Sequence, residues 1–485
     1  MEYGWKNRGG FMYLNKELVI AKNSEKTIKI LPNMLNRHGI ITGATGTGKT
    51  ISVKVLAETL SNAGIPVFIT DVKGDVASIC EEGEMNESIS KRVEKLDLEN
   101  FNVSSFPTRF FDVYGKTGHK VRARIDSFKA SLLSRILELS DSQTGNLNIA
   151  LKVAEDENLP VYNFVDLKDL LKYVMDNKDK YNSYGNITTQ SIQTILRKLL
   201  EFENTDADIF FGEPELNLSD LCTYEGSTGR GIINILDSTE LVKDYNLYST
   251  LMLWLLNKIY DTFPEVGDLD KPKLVLFIDE AHLLFDDMNS SMLKKFTQII
   301  KLIRSKGVGV FLISQSPSDI PEDILSQLGN RIQHNLKAYT PKELKSVKVA
   351  ASSFRENPNL DTEKSIIELS TGEALVAFIN ELGQPEIVER AFILPPQSKI
   401  GVVDENVRRK IINLSNLRIK YDIDVDSIST HELLSKLKKE EPKKEEKKKK
   451  NQKSKTEKLI DRTINTATST ITRRVINKLF KGLFK

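Results

Sequence analysis

Apolar and polar positions alternate over residues 17–21 and 26–31, which predicts two small strands leading into a core. From His38 onward the pattern changes. An apolar run at 39–42 is followed by a glycine-rich loop, a helical-period stretch ending near Gly64, then Pro66 and a second apolar run at 67–70. Strand, helix, strand in that order is a βαβ unit and implies a parallel sheet. Further strand candidates stand at 232–236, 274–278, 308–314, 331–336 and 374–379, with helical segments between most of them, as in a parallel sheet covered by helices.

Between residues 122 and 221 the period is mostly helical, clearest at 128–139 and 188–203, and reads as an insertion into the sheet domain. After Pro395 the strand signal ends. Residues 436–458 are a lysine and glutamate tract that cannot bury enough apolar surface to order itself, hence a solvated linker. Ile460, Ile464, Ala467, Ile471, Val475, Leu479 and Leu483 then recur at helical spacing among Arg473, Arg474, Lys478 and Lys481, predicting a terminal amphipathic helix. The expected organisation is therefore short N-terminal strands at 1–37, a first core part at 38–121, the helical insertion at 122–222, a second core part at 223–400, an extension at 401–435, the linker at 436–458 and the helix at 459–485.

Composition narrows the class. With 485 residues, 40% hydrophobic and 28% charged, the chain can bury a large core and is not disordered throughout. The longest apolar stretch, 247–256, is about half of the roughly 20 residues that a membrane span needs, so a buried helix is expected there. The first ten residues lack the apolar region of a secretory signal, which implies a cytoplasmic location. Cys80 and Cys222 stand far apart with no histidines at ligand spacing, so neither a disulfide nor a structural zinc is expected. The net charge of +2 owes much to the lysine-rich stretch near the C-terminus, which leaves the globular part without a general basic footprint for nucleic acid. Any DNA path must be a local channel. Cations for one stand at 116–124 and 294–306, where a merely solvated face is the other reading.

The chemistry begins at Gly43-Ala44-Thr45-Gly46-Thr47-Gly48-Lys49-Thr50, which matches G-x-x-x-x-G-K-[ST] between a predicted strand and a predicted helix. Glycines let backbone N–H groups close around phosphate oxygens at a helix N-terminus, whose dipole favours negative charge. Lys49 would reach the β and γ phosphates and the Thr50 hydroxyl would hold Mg²⁺, so ATP and Mg²⁺ are the expected ligands. A second signal is the apolar run 274–278 ending in Asp279-Glu280, where Asp279 would complete the Mg²⁺ shell and Glu280 would polarise the attacking water as general base. Gln315, at the end of the apolar run 308–314, would sense the γ phosphate from an adjacent strand.

Arg304 and Arg331 precede predicted strands and so lie on the far side from their own nucleotide, where a guanidinium can complete the site of a neighbouring subunit. Arg304 is the favoured candidate. Asp71, on the carboxyl edge after the second strand, either assists the water or the sensor, or caps a turn. His282 has no second ligand at a fitted spacing and is assigned no metal.

With these residues in place, the chain resembles the HerA and FtsK superfamily of ring ATPases, and within it the YjgR-type HerA-like helicase proteins. The resemblance covers about 40–400 and rests on Ile41-Thr42-Gly43 through Thr50, Thr70-Asp71-Val72-Lys73-Gly74-Asp75, residues 277–285, Leu302-Ile303-Arg304-Ser305-Lys306-Gly307, Ile313-Ser314-Gln315 and Leu328-Gly329-Asn330-Arg331. It implies an α/β fold with a RecA-like P-loop NTPase core around a mostly parallel central sheet. It also implies a homo-oligomer of hexameric form, ATP and Mg²⁺ at subunit interfaces, DNA in the pore, and Arg304 at the position of the trans-acting arginine. The region ahead of the motor is shorter than the β-barrel of archaeal HerA proteins, where a nuclease partner is expected to dock, so the resemblance does not extend to DNA end resection. The terminal amphipathic helix resembles a tail that braces a neighbouring subunit in related rings, with binding to a membrane surface as its rival.

The first expected function is thus an ATP-driven DNA translocase or helicase. A protein-directed or secretion-type motor of the same superfamily is the second, with a protein as partner. A nucleotide-gated assembly scaffold that binds ATP without turnover is the third.

Overall fold

Apolar runs that lack alternation become central strands, because a strand covered on both faces has no polar side. A computed structural model of the chain describes residues 13–14, 17–203, 209–267, 269–286, 288, 290–423, 425 and 428–440. Among them thirteen strands share one sheet: β1 (Tyr13–Leu14), β2 (Glu17–Lys22), β3 (Thr27–Ile30), β4 (Gly39–Thr42), β5 (Val67–Asp71), β6 (Thr108–Asp112), β7 (His119–Lys120), β8 (Ile233–Asp237), β9 (Leu274–Ile278), β10 (Val308–Ser314), β11 (Asn330–Gln333), β12 (Glu373–Ala377) and β13 (Glu389–Ile393). The order is β1-β2-β13-β12-β11-β4-β10-β9-β5-β8-β6-β7, with β3 also on β2. From β11 to β7 all neighbours are parallel, and β12, β13, β2, β1 and β3 form an antiparallel flank. Every residue of β4, β5, β8, β9 and β10 is buried.

Register brings the motifs level. Thr42 pairs with both Ser314 and Gln333, so β4, β10 and β11 end together. Ile69 pairs with Phe277, which sets Asp71 and Asp279, two residues further on, side by side. Gly39 makes the close strand spacing possible: a Cβ there would lie 2.3 Å from the Phe311 ring and 2.9 Å from the Asn330 carbonyl oxygen.

The helix Lys49–Asn62 covers one face, burying Val53, Val55, Leu56 and Leu60 in one core with Ile41, Ile69, Phe277 and Phe311. Each such side chain contributes about 1.5–3 kcal/mol. The rings of Phe277 and Phe311 stack at 5.1 Å between centroids. The apolar stretch at 247–256 lies inside the buried helix Tyr245–Thr262, and among the described residues no helix is long and apolar enough to cross a membrane. Between β7 and β8 run the helices Ala130–Ile136, Asp141–Glu157, Phe164–Asp176, Thr189–Glu203 and Leu218–Leu221. Phe128 joins them to the sheet domain by stacking on Trp254 and packing against Phe210 and Phe211.

The predicted strand at 331–336 is shorter than expected. His334 still donates its N–H to the Thr42 carbonyl, but its side chain turns into the core and the ladder stops. β1, β6, β7 and β13 lie outside the predicted strands: β1 and β7 have two residues each, and β6 and β13 open on the polar pairs Thr108-Arg109 and Glu389-Arg390, which hide the period. The chain divides into two units, Met1–Leu434 and Ser435–Lys485. The first contains the whole sheet. Of the second, residues 435–440 are described, as part of the helix Thr430–Glu440, so the rest of the expected linker and the expected terminal helix lie outside the described residues.

Candidate active site

Beyond Thr42 the chain leaves the sheet through three glycines with positive φ: Gly43 at 152°, Gly46 at 82° and Gly48 at 115°. Gly43 has no room for a side chain, since a Cβ would sit 2.5 Å from the Cβ of His334 and 2.9 Å from Thr47 Oγ1. The loop is tied down at its start: Gly43 N donates to the Gln315 carbonyl (3.2 Å) and Ala44 N to the Asn335 carbonyl (2.8 Å). Ser52 N to the Gly48 carbonyl is the first bond of the following helix. The N–H groups of Lys49, Thr50 and Ile51 precede it and therefore have no intrahelical partner, the condition for anion binding at a helix N-terminus.

Lys49 is buried and folds back over the loop, with Nζ 2.5 Å from the Gly43 carbonyl oxygen and 3.2 Å from that of Ala44. Behind it His334 is fully buried between Ser52 Oγ (2.8 Å from Nε2) and the Glu373 carbonyl (2.9 Å from Nδ1). Burial pushes its pKa down to about 4, so at neutral pH the ring is uncharged, donating from Nδ1 and accepting at Nε2.

The turn after β5 is built by Asp71. Its buried carboxylate accepts N–H bonds from Gly74 (2.8 Å), Val76 (3.1 Å) and Ala77 (2.8 Å). Burial and the neighbouring Asp75 raise its pKa to about 6 against the effect of those bonds. Of its two expected roles, the geometry matches turn capping. The turn in exchange delivers two residues that sequence reasoning assigned no role, Asp75 and Lys73. Asp75 Oδ2 accepts a bond from Thr50 Oγ1 at 3.0 Å, and Lys73 Nζ lies 3.9 Å from Glu280 Oε1. Both belong to the Asp71-Val72-Lys73-Gly74-Asp75 run, which was their only signal.

β9 carries Asp279 and Glu280 to the same edge. Asp279 N donates to Thr70 Oγ1 (2.8 Å), and Tyr248 links the Asp279 carbonyl to that same hydroxyl, 3.0 Å away. This closed network holds the strand end and had no counterpart in the sequence patterns. Burial, then the charge of Glu280, raises the pKa of Asp279 to about 7. Glu280 adopts left-handed φ and ψ of 45° and 46°, a strained conformation for a non-glycine residue. Its buried Oε2 has no hydrogen-bond partner, and His282 Nδ1 lies 3.5 Å from it. Burial and Lys73 lower the pKa of Lys49, while Asp279 and Glu280 raise it. These four charges therefore share one site.

Gln315 is exposed at the end of β10, between β4 and β9, and its carbonyl anchors the glycine loop. Arg304 opens the short turn Arg304–Lys306 ahead of β10, at the opposite edge of the sheet. Buried His38 sits beside it, with Nε2 donating to the Ile300 carbonyl (2.7 Å) and Nδ1 accepting from Val310 N (3.2 Å). Arg331 is the second residue of β11. Its guanidinium donates to the Leu325 carbonyl (3.0 Å), and burial lowers its pKa to about 10, so it is bound within its own subunit. Within 116–124, Lys116 pairs with Glu240 and Arg124 with Asp126 and Glu213, whereas Lys294, Lys295 and Lys301 lie exposed along the helix Ser290–Ile303. A cleft of about 290 Å³ lies elsewhere, among Leu132, Leu253, Tyr260, Met292, Phe296 and Ile299.

The family described as Helicase HerA-like C-terminal matches residues 16–481. The DNA double-strand break repair helicase HerA of Saccharolobus solfataricus is 27% identical over 367 residues, 74% of this chain and 64% of that protein. Its counterpart in Sulfurisphaera tokodaii is 25% identical over 373 residues, 76% of this chain and 67% of that protein. The chain thus spans about two thirds of the length of these relatives. Among solved structures, the bacterial conjugative coupling protein TrwB superposes with a TM-score of 0.50 at 15% identity, covering 79% of this chain and 90% of that one, which bears on the fold alone.

Proposed function

Because this chain belongs to the helicase HerA-like C-terminal family, we propose that it is an ATP-hydrolysing motor that works as a hexameric ring and moves DNA. The observation that carries this reading is the meeting of Lys49, Thr50, Asp75, Asp279 and Glu280 on one edge of one sheet, where Lys49 is electrostatically coupled to both carboxylates of the Asp279-Glu280 pair. The chain's groups fit ATP and Mg²⁺. The N–H groups at the helix start have no intrahelical partner, and Glu280 Oε2 is buried without a hydrogen-bond partner. Thr50 and Asp279, with Asp75, would hold Mg²⁺, which supplies neutralisation of phosphate charge. Among the described residues no three histidine, cysteine or carboxylate groups form a metal cluster, in keeping with an ion that draws most of its ligands from phosphate and water.

In this mechanism Lys49 leaves the Gly43 and Ala44 carbonyls for the β and γ phosphates. Glu280 takes a proton from water as its oxygen attacks the γ phosphorus and the bond to the β–γ bridging oxygen breaks. Gln315 senses the γ phosphate from the end of β10, between β4 and β9. Arg304, at the far edge of the sheet, serves the neighbouring subunit; Arg331, bound to the Leu325 carbonyl, is the weaker candidate. Asp71 acts through the turn it caps. Exposed Lys294, Lys295 and Lys301 favour their helix for the DNA path over 116–124, where Lys116 and Arg124 are held in ion pairs.

The test is phosphate release by the purified chain with and without duplex DNA across a salt series, for wild type, Arg304→Ala and mixtures of the two. Turnover should rise with DNA, lose that stimulation steeply with salt, and fall in mixtures by more than the fraction of variant added. Hydrolysis indifferent to DNA at low salt would favour a protein-directed motor, and absence of hydrolysis a scaffold. Recovery of turnover when Arg304→Ala is mixed with Glu280→Gln would place Arg304 in trans, and no recovery would remove it from that role.

A further inference from the structure

Resting on the reading of this site as an ATP pocket, we propose that Lys73 is the residue that discriminates ATP from ADP, exchanging its contact with Glu280 for one with the γ phosphate. Lys73 stands in a turn whose backbone is fixed by three N–H bonds to Asp71. Gly74 closes that turn with a φ of +76°, a conformation glycine takes without penalty. The same turn puts Asp75 on the Thr50 hydroxyl, so the position of Lys73 is set relative to the glycine loop as well as to β9.

The ammonium group lies 3.9 Å from Glu280 Oε1, and the Lys73 side chain is 41% exposed. A pair with one partner in solvent is weak. Lys73 also acts on Lys49, as the second cause, after burial, of that lysine's lowered proton affinity. Two cations thus flank a region closed by Asp279 and Glu280, the region that the terminal phosphate of a triphosphate would occupy. That phosphate carries more negative charge than the single carboxylate that Lys73 now faces, so the exchange is downhill. It also frees Glu280 Oε1 to act together with Oε2, which has no hydrogen-bond partner. ADP places no phosphate there, so Lys73 stays with Glu280 and the base is held back.

The experiment is calorimetric titration of the full chain with Mg²⁺ and either ADP or a non-hydrolysable ATP analogue, for wild type, Lys73→Met and Lys73→Arg. Lys73→Met should bind the analogue about tenfold more weakly, the worth of one charge-assisted contact, with ADP binding unchanged and Lys73→Arg close to wild type. Equal loss for both nucleotides, or no loss for either, would overturn the inference while leaving the ATP pocket standing. Wild type that binds neither nucleotide would overturn the pocket reading itself, and this inference with it.

Discussion

Replacing Glu280 by glutamine exchanges one carboxylate oxygen for an amide at nearly constant volume, so its effects on folding and on chemistry can be estimated separately. For folding, Oε2 has no hydrogen-bond partner to lose, and Oε1 faces only a half-exposed lysine at 3.9 Å. A pair of that kind is worth about 0–1 kcal/mol. For chemistry, a positioned general base contributes about 10²–10⁴-fold, or roughly 3–5 kcal/mol of barrier. Turnover should therefore collapse while the melting temperature and nucleotide affinity hardly move. The backbone offers an internal control, because Glu280 sits at φ 45°. Glu280→Gly should be more stable than Glu280→Ala by about 1 kcal/mol, the left-handed penalty relieved, with both inactive. Steady-state phosphate release and thermal melts of the four proteins read all of this. Glu280→Gln turning over within about threefold of wild type would place the base elsewhere.

Two other outcomes follow from the same edge of the sheet. Gly43→Ala forces a Cβ against the Cβ of His334 at 2.5 Å, where neither atom can swing aside, and should cost about 1–3 kcal/mol along with nucleotide binding. Gly46→Ala, with nothing within 4 Å, should cost less, and equal losses in melts and titrations would show that packing against His334 is not what selects glycine at 43. For Asp279, a folded pKa of about 7 against an ordinary 3.8 means that the native state binds the proton more tightly than the unfolded chain. Stability of the nucleotide-free protein should fall as pH rises through that window. Asp279→Asn should flatten the decline between about pH 4 and pH 7 in urea melts; Asp71, shifted the same way to about 6, leaves part of it in place. An unchanged slope would mean that Asp279 is ionised in the fold well below neutrality.

Much of the site is local in sequence, and that part was legible. A phosphate-cradling loop needs its glycines, lysine and hydroxyl within one turn of backbone, so the segment from Gly43 to Thr50 announces itself. An apolar run that stops at two carboxylates likewise reads as a buried strand ending at a polar edge, and β9 ends there. Residues whose work depends on a partner far along the chain were not legible. Asp71 sits at the predicted strand end, yet only the folded turn decides that its carboxylate faces three backbone N–H groups rather than water. Arg331 reads like Arg304 in one dimension, and only the fold shows its guanidinium donating to the Leu325 carbonyl.

The sequence by itself determined which segments are central strands and which loop can grip phosphate, because apolar continuity and backbone freedom are properties of a few adjacent residues. Only the tertiary structure decided that β10 lies between β4 and β9, that His334 backs the glycine loop, and that Lys73 meets Glu280. Those facts join residues up to hundreds of positions apart, through strand order and burial that no local pattern encodes.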